Sequence, residues 1–413
     1  MKLKLTLNLF ILIIFILVAY IIYFLSNGEY SGVGSDFQFY FNRLLYIREF
    51  NIPFSDWFSN SIENYEETNL ARVSNFVPTP FYCLIFLGPL LLHGSDFLFA
   101  IQGISIAYLT YRIIRKHLKD IYFCIDKNIL NLIMIIGSLN PAFLKDSLTS
   151  GPVSICNLFL LYGLFYRKNI FLASILFACA AMSRSSYIIY WITMLISCLI
   201  IDRSLIKRFL KITSFSLFIY VIFYIFFYST YPGSQLSYIW FSGLHNNSFY
   251  ENYFVKELSK HFEVFNKMDI LNLDISLLEF LRVIILDFKI AYGTFFSWIF
   301  KILSSLGFLH GNLLYDIRSI YVQRLATLSY FLFFIGPAFS LSSFSLITFF
   351  KDENFWLKKE KLILTFAFLF LISHSLIMGL PRYMIIVYWI FIAFSLRFII
   401  WIKRKRSIEK LVG

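Results

Sequence analysis

Six residues of this chain have side chains that could do chemistry at a membrane surface: Asp36, Tyr40, Asp146, Arg184, Arg382 and Tyr383. A carboxylate can take the proton from an attacking hydroxyl group. Arginine binds phosphate through a planar fork of hydrogen-bond donors. Together these side chains suit a reaction on a substrate that carries a phosphate group. Asp36 is the candidate catalytic base, and the other five residues are candidate substrate-binding groups.

Each of the four charged candidates also has an ordinary structural explanation. Asp36 can be a solvated loop acid, and Asp146 can pair with its neighbour or cap a helix. Arg184 can extend to the lipid head groups, and Arg382 can anchor a helix at the interface. We prefer a functional interpretation of Asp36 because it closely follows the first apolar span. We also prefer a functional interpretation of Arg184, because it interrupts a strongly apolar stretch, where burying a charge costs free energy.

The elements that must position these residues are helices in a membrane. The chain of 413 residues is 59% hydrophobic and 15% charged, with a mean hydropathy of +0.72. Soluble domains carry more charge than this. Repeated apolar runs approach the length needed to cross about 30 Å of hydrocarbon. We therefore predict a single all-α domain, residues 1–413, which is a polytopic membrane protein of roughly 10–12 transmembrane helices.

The distribution of charge predicts the orientation of these helices. The 37 basic residues outnumber the 24 acidic ones, which gives a net charge of +13. Because the basic residues cluster at helix ends, they indicate a positive-inside topology rather than nucleic acid as a partner. We expect both termini in the cytoplasm and the chain in the inner (plasma) membrane. Residues 26–80 then form a large first external loop with interfacial helices, and residues 229–278 form a second one.

The same topology places Asp36, Asp146, Arg184 and Arg382 on one membrane face, each in an external loop or turn. The path of residues 280–350 stays open, because two crossings there would put the lysines that follow on the outside. Either the region 302–314 crosses once more, or part of 278–300 lies in the interface.

No cofactor or metal site is expected. The five cysteines lie in or beside apolar segments, with no C-x-x-C pair and no histidine at metal-ligand spacing. No P-loop and no G-x-G-x-x-G motif is present.

The order of the motifs resembles the GT-C superfamily of integral-membrane glycosyltransferases, which use polyprenyl-phosphate-linked sugars as donors. The matching pieces are Ser35-Asp36-Phe37-Gln38-Phe39-Tyr40, Val77-Pro78-Thr79-Pro80-Phe81-Tyr82, Tyr111-Arg112-Ile113-Ile114-Arg115-Lys116, Leu139-Asn140-Pro141 through Asp146, Ala180-Ala181-Met182-Ser183-Arg184-Ser185 and Leu380-Pro381-Arg382-Tyr383-Met384. The resemblance implies that Asp36 acts as the base or orients the acceptor, and that Arg184 or Arg382 holds the donor phosphate. Two features depart from the family pattern: a single Asp36 replaces its pair of acids, and Ser185 replaces the proline after Arg184.

The resemblance implies an enzyme that moves a sugar from a polyprenyl-phosphate donor to a lipid-linked or cell-envelope glycan acceptor, surrounded by membrane lipids. Two other functions remain open. A Wzy-type polymerase of O-antigen or capsule units should depend mainly on arginines in two later loops. A flippase or transporter of lipid-linked sugars should work without the Asp36 carboxylate.

Overall fold

A computed structural model shows the architecture of the protein. The described residues are 2–25, 81, 96–121, 126–149, 151–227, 256–263, 277–307, 320–351, 355–377 and 381–412. Their regular structure is helical, with no strand in any of these ranges, which confirms the all-α prediction for this part of the chain. Asp36, Tyr40, the whole predicted first external loop and most of the second lie outside the described residues.

The N-terminal part of the described chain folds into apolar helices joined mostly by short turns. These helices are α1 (Lys2–Leu25), α2 (Asp96–Ile121), α3 (Lys127–Ser138), α4 (Pro141–Leu148), α5 (Pro152–Phe165), α6 (Ile170–Ser183), α7 (Ile188–Ile201) and α8 (Ile206–Phe227). The 3-10 turns Ser185–Tyr187 and Arg203–Leu205 connect α6 to α7 and α7 to α8. Helix α6 packs between α5 and α8.

The C-terminal part supplies the second half of the bundle. Its helices are α9 (Leu277–Leu286), α10 (Phe288–Ser305), α11 (Ile320–Tyr330), α12 (Gly336–Lys351), α13 (Lys358–Ile377) and α14 (Ile385–Val412). A π-helical turn, Phe331–Ile335, joins α11 to α12, and a 3-10 turn, Pro381–Met384, precedes α14. Helix α14 packs against α3, α12 and α13, while α13 also packs against α7 and α10.

Side-chain caps determine where several helices begin. The Asn140 side chain caps α4, because its Oδ1 accepts two backbone N–H groups of the first turn at 2.9 and 3.1 Å. Pro141 occupies the first helical position, where its missing N–H leaves no hydrogen bond unmade. Asp126 and Asn169 cap α3 and α6, each by accepting one backbone N–H group. The Asn140 cap matters for the site because the chain bends there by 65° between α3 and α4.

A close approach of helices holds this bent pair in the core. A Cβ atom on Gly137 of α3 would lie 2.6 Å from Cδ2 of Trp389, so a larger residue would push the indole away. The same indole, on α14, meets the ring of Phe143 of α4 edge to face at 6.1 Å. On the other side, the Tyr330 hydroxyl of α11 donates to Ile136 O at 2.8 Å. The bent pair is therefore fixed between α11 and α14.

The basic segments of the described chain meet at one end of the bundle, the basic end. At the ends of α2 and α5, Lys116 Nζ lies 3.8 Å from the centroid of the Phe165 ring. At the end of α7, Asp202 Oδ1 forms a salt bridge of 3.0 Å with Lys358 Nζ at the start of α13. The sequence left open which side of the membrane the start of α13 faces. This salt bridge places the lysines at the start of α13 at the same end of the bundle as the basic residues that follow α7.

A buried ion pair brings the C-terminal helix to the same end. Arg397 Nε of α14 donates to Glu360 Oε1 of α13 at 3.0 Å, and the guanidinium also lies over the Phe355 ring at 4.2 Å. The basic tail of α14 follows directly after this pair. The N-terminus of α13 and the C-terminus of α14 are therefore neighbours.

Several helices have the length and composition to cross a membrane. Among the described residues these are Phe97–Asp120, Leu325–Phe349 and Ile385–Ser407, with α3 and α4 as a fourth span if the bent pair counts as one. Of the shorter apolar helices, α5 packs against α2, α6 packs between α5 and α8, and α7 packs against α13. These helices are consistent with the predicted membrane protein. The count of roughly 10–12 spans stays a prediction.

Candidate functional site

Asp146 is a buried carboxylate on α4, the short helix that follows the bend. The residue is 5% exposed. Its Oδ2 accepts two hydrogen bonds of 2.7 Å from Ser154 at the start of α5, one from the backbone N–H and one from the hydroxyl. Hydrogen bonds to a carboxylate are short and strong, so this pair fixes the orientation of the Asp146 side chain.

Gly151 provides the space that the Asp146 carboxylate occupies. A Cβ atom at this position would lie 2.6 Å from Asp146 Cγ, closer than real atoms approach. The Gly151 N–H also donates to the backbone oxygen of Asp146 at 2.7 Å. The turn between α4 and α5 therefore wraps closely around the acid.

Arg184 follows α6, and its side chain contacts the turn Pro381–Met384, which is far away in the sequence. Its backbone is extended, with φ −160° and ψ 115°, so the helix stops there. The guanidinium carbon Cζ lies 5.0 Å from the centroid of the Tyr383 ring, a cation–π distance. Because the guanidinium donors lie in its plane, a contact through its face is compatible with hydrogen bonds at its edge.

Two tyrosines that sequence reasoning did not single out join these segments. The Tyr187 hydroxyl lies 2.8 Å from Asn157 Oδ1 and 3.1 Å from Val153 O, both on α5. The Tyr190 hydroxyl donates to Tyr383 O at 3.1 Å. The rings of Tyr187 and Tyr190 stack at 5.0 Å. In the sequence, a tyrosine in an apolar helix cannot be distinguished from an ordinary core residue. Only the hydrogen bonds of its hydroxyl group show that it joins two segments.

The turn Pro381–Met384 is the point where the segments converge. It contacts α4, α5, α10 and α14. The Tyr383 ring is fully buried and lies 4.5 Å from the His374 ring and 6.3 Å from the Tyr187 ring. We use the name Asp146–Arg184 cluster for the five residues that meet here: Asp146, Ser154, Arg184, Tyr187 and Tyr383.

The cluster combines opposite charges on a buried acid and a partly buried arginine. Asp146 and Arg184 both lie within electrostatic range of the buried Cys156 thiol. Arg184 is itself partly buried. Charges act more strongly on a ligand in such a setting than in open water. Within the described ranges, no group of three His, Cys, Asp or Glu side chains is placed to hold a metal ion.

The structure brings together three of the six residues selected from the sequence, Asp146, Arg184 and Tyr383. Of Arg382 it describes the backbone alone, in the same turn as Tyr383. Asp36 and Tyr40 lie outside the described residues. The chemical roles of all six stay predictions.

Comparison with known proteins found no relative: no protein-family model, no curated protein and no solved structure matches this chain. Support for a function therefore comes from the geometry of the cluster and from the motifs of the sequence.

Proposed function

We propose that the protein is a membrane-embedded glycosyltransferase, similar to the GT-C superfamily, that transfers a sugar from a polyprenyl-phosphate donor to a lipid-linked or cell-envelope glycan acceptor. The observation that carries the proposal is the meeting of Asp146, Arg184 and Tyr383, which belong to three widely separated segments of the chain. A buried acid and a guanidinium at the end of an apolar bundle suit a lipid with a phosphate head group.

The proposal includes an orientation in the membrane. The basic end faces the cytoplasm, as the positive-inside rule requires, and the Asp146–Arg184 cluster faces outward, at the other ends of α5, α6 and α7. This arrangement is supported by the antiparallel packing of α5 and α6, which separates Arg184 from the basic residues after α5. Roughly 10–12 spans complete the bundle, some of them outside the described ranges.

The proposed reaction needs one base and at least one cation. An acceptor hydroxyl attacks the anomeric carbon, and the Asp36 carboxylate takes its proton. The bond between that carbon and the phosphate oxygen breaks, and polyprenyl phosphate leaves with the electron pair. Arg184, helped by Arg382, stabilises the negative charge that develops on the phosphate. Tyr40, Asp146 and Tyr383 contribute binding contacts.

A transfer assay tests this function. The protein is reconstituted in liposomes with defined polyprenyl-phosphate sugars and membrane-derived acceptors, and the products are identified by mass. We expect the wild-type protein to add one sugar, and Asp36→Asn to abolish transfer without loss of expression. Asp56→Asn, in the same predicted loop, is the matched control and should retain activity.

Three results would contradict the proposal. Full turnover by the Asp36→Asn protein would remove Asp36 from the reaction. Products that grow by whole preassembled repeat units would indicate a polymerase instead. Movement of the lipid-linked sugar between leaflets without any transfer would indicate a flippase.

A further inference from the structure

Asn157 of α5 is a fully buried polar residue with one end of its side chain unsatisfied. The residue is 0% exposed, and its carboxamide lies 2.8 Å from the Tyr187 hydroxyl. The nitrogen at the other end of the carboxamide has no hydrogen-bond partner among the described residues. Buried polar groups nearly always have a partner, so a group that is not part of the described chain is expected there.

The chemistry of the Tyr187 bond limits what that group can be. A tyrosine hydroxyl has one hydrogen, and Val153 O also lies 3.1 Å from it. The Tyr187 hydroxyl therefore either shares its hydrogen between two acceptors or accepts a bond from an amide turned by 180°. In either orientation, one end of Asn157 is used by Tyr187 and the other is open. A ligand hydroxyl fits both cases, because it can donate and accept.

Asn157 is linked to both halves of the Asp146–Arg184 cluster. It lies on the same face of α5 as Ser154, one turn away, and Ser154 holds Asp146. Tyr187 follows Arg184 in the 3-10 turn, and its backbone N–H donates to Arg184 O at 3.0 Å. Asn157 is therefore connected through Tyr187 to Arg184, and it lies one turn along α5 from the serine that holds Asp146.

We propose that Asn157 is a ligand-binding residue whose carboxamide recognises a hydroxyl group of the sugar on the lipid donor. The inference rests on the proposed function, since it assumes that a lipid-linked sugar enters the cluster. It adds a polar contact specific to the sugar, distinct from the phosphate contact assigned to Arg184. A buried water molecule is the competing occupant.

The test measures binding of two kinds of lipid to the purified full-length protein in detergent. The probes are undecaprenyl phosphate carrying glucose, mannose or galactose, and undecaprenyl phosphate without a sugar. Asn157→Leu removes both hydrogen-bonding groups and keeps a similar size, while the Tyr187 hydroxyl still has Val153 O. We expect roughly tenfold weaker binding of the sugar lipid that the wild type prefers, and unchanged binding of the bare phosphate. Arg184→Ala should weaken binding of both lipids.

The outcomes separate this inference from the function on which it rests. If Asn157→Leu binds sugar lipid as well as the wild type does, or weakens both lipids equally, the inference is overturned while the function stands. If the wild type binds neither lipid, both are overturned. Unfolding temperature is measured alongside, and Asn157→Ala replaces the leucine variant if that variant does not fold. If the Asn157 variant is more stable than the wild type but keeps the same sugar preference, a water molecule occupies the open position and the inference is overturned.

Discussion

The Arg184 guanidinium lies over the Tyr383 ring at 5.0 Å, although helices α7 to α13 separate the two residues in the sequence. The backbone oxygen of Tyr383 is in turn held by the Tyr190 hydroxyl at 3.1 Å. The position of the cation therefore depends on three segments: the end of α6, the start of α7 and the turn before α14. A substitution in any of these three segments should therefore alter the position of the Arg184 guanidinium.

Arg184→Lys keeps the charge but loses the planar fork and its stacking on an aromatic ring. Hydrogen bonds to charged groups contribute about 1.5–3 kcal/mol, so we expect kcat/KM for sugar transfer to fall roughly tenfold to a hundredfold. Steady-state kinetics in liposomes measure the change. Arg203→Lys, an exposed position at the basic end, is the control. Equal activity of the Arg184→Lys protein and the wild type would contradict a specific role for the guanidinium.

Gly151→Ala should displace the Asp146 carboxylate, because the new methyl group would overlap it. We expect transfer to fall about tenfold, since a displaced binding group loses about 1.4 kcal/mol of favourable contact. Gly163→Ala at the far end of α5 is equally crowded, with its Cβ 2.7 Å from Phe177 Cε1. It should reduce stability but leave the KM for donor unchanged. Similar KM changes in both variants would show a general packing defect instead.

Tyr190→Phe removes the hydrogen bond to Tyr383 O and leaves the ring stack in place. The expected loss is about 1 kcal/mol in the free energy of unfolding, the usual contribution of one such bond. Unfolding in mixed detergent micelles measures it. Tyr166→Phe, an exposed tyrosine at the basic end, should have no effect. An unchanged stability in Tyr190→Phe would mean that this bond does not hold the turn.

The contacts of the Asp202 carboxylate with Ser204 and Lys358 predict a dependence of stability on pH. The Ser204 hydroxyl and then Lys358 hold the pKa of the Asp202 carboxyl below its ordinary value. Because the folded pKa is lowered, the stabilisation is complete above the unfolded value of about 3.9 and is lost as the pH falls through the folded pKa. Asp202→Asn should be less stable than the wild type at pH 7, and the difference should shrink in acid. A difference that is constant from pH 7 to pH 3 would reject this origin.

The sequence was sufficient to predict the helical class of the described residues. Asp146 and Arg184 both follow apolar runs, and the charge rule predicts that both lie on the outer membrane face. That placement stays a prediction. The start of α13 was left open, since two crossings within residues 280–350 would have put its lysines outside, against the charge rule. The salt bridge between Lys358 and Asp202 places them at the basic end.

Other parts of the site could not be predicted because their sequence signal is the same as that of a core residue. Tyr190 and Asn157 occur in apolar helices, where burial explains them equally well. Their roles depend on which hydroxyl or carbonyl group of another segment forms a hydrogen bond with them. The packing of the helices determines that partner. The bend at Asn140 was visible as Asn-Pro, but its angle and the approach of Trp389 to Gly137 were not.

The π-helical turn at Phe331–Ile335 has a consequence for the long helix that contains it. Before the turn, the Tyr330 hydroxyl reaches Ile136 O; after it, the Ser342 hydroxyl donates to Phe391 O at 2.9 Å. A uniform α-helix would place these two residues about 120° apart around its axis. The wider turn absorbs one residue and brings them to within about 20° of each other. Deleting a single residue there would leave a uniform α-helix that keeps both inner contacts on the same face, because the remaining residues turn through the same angle.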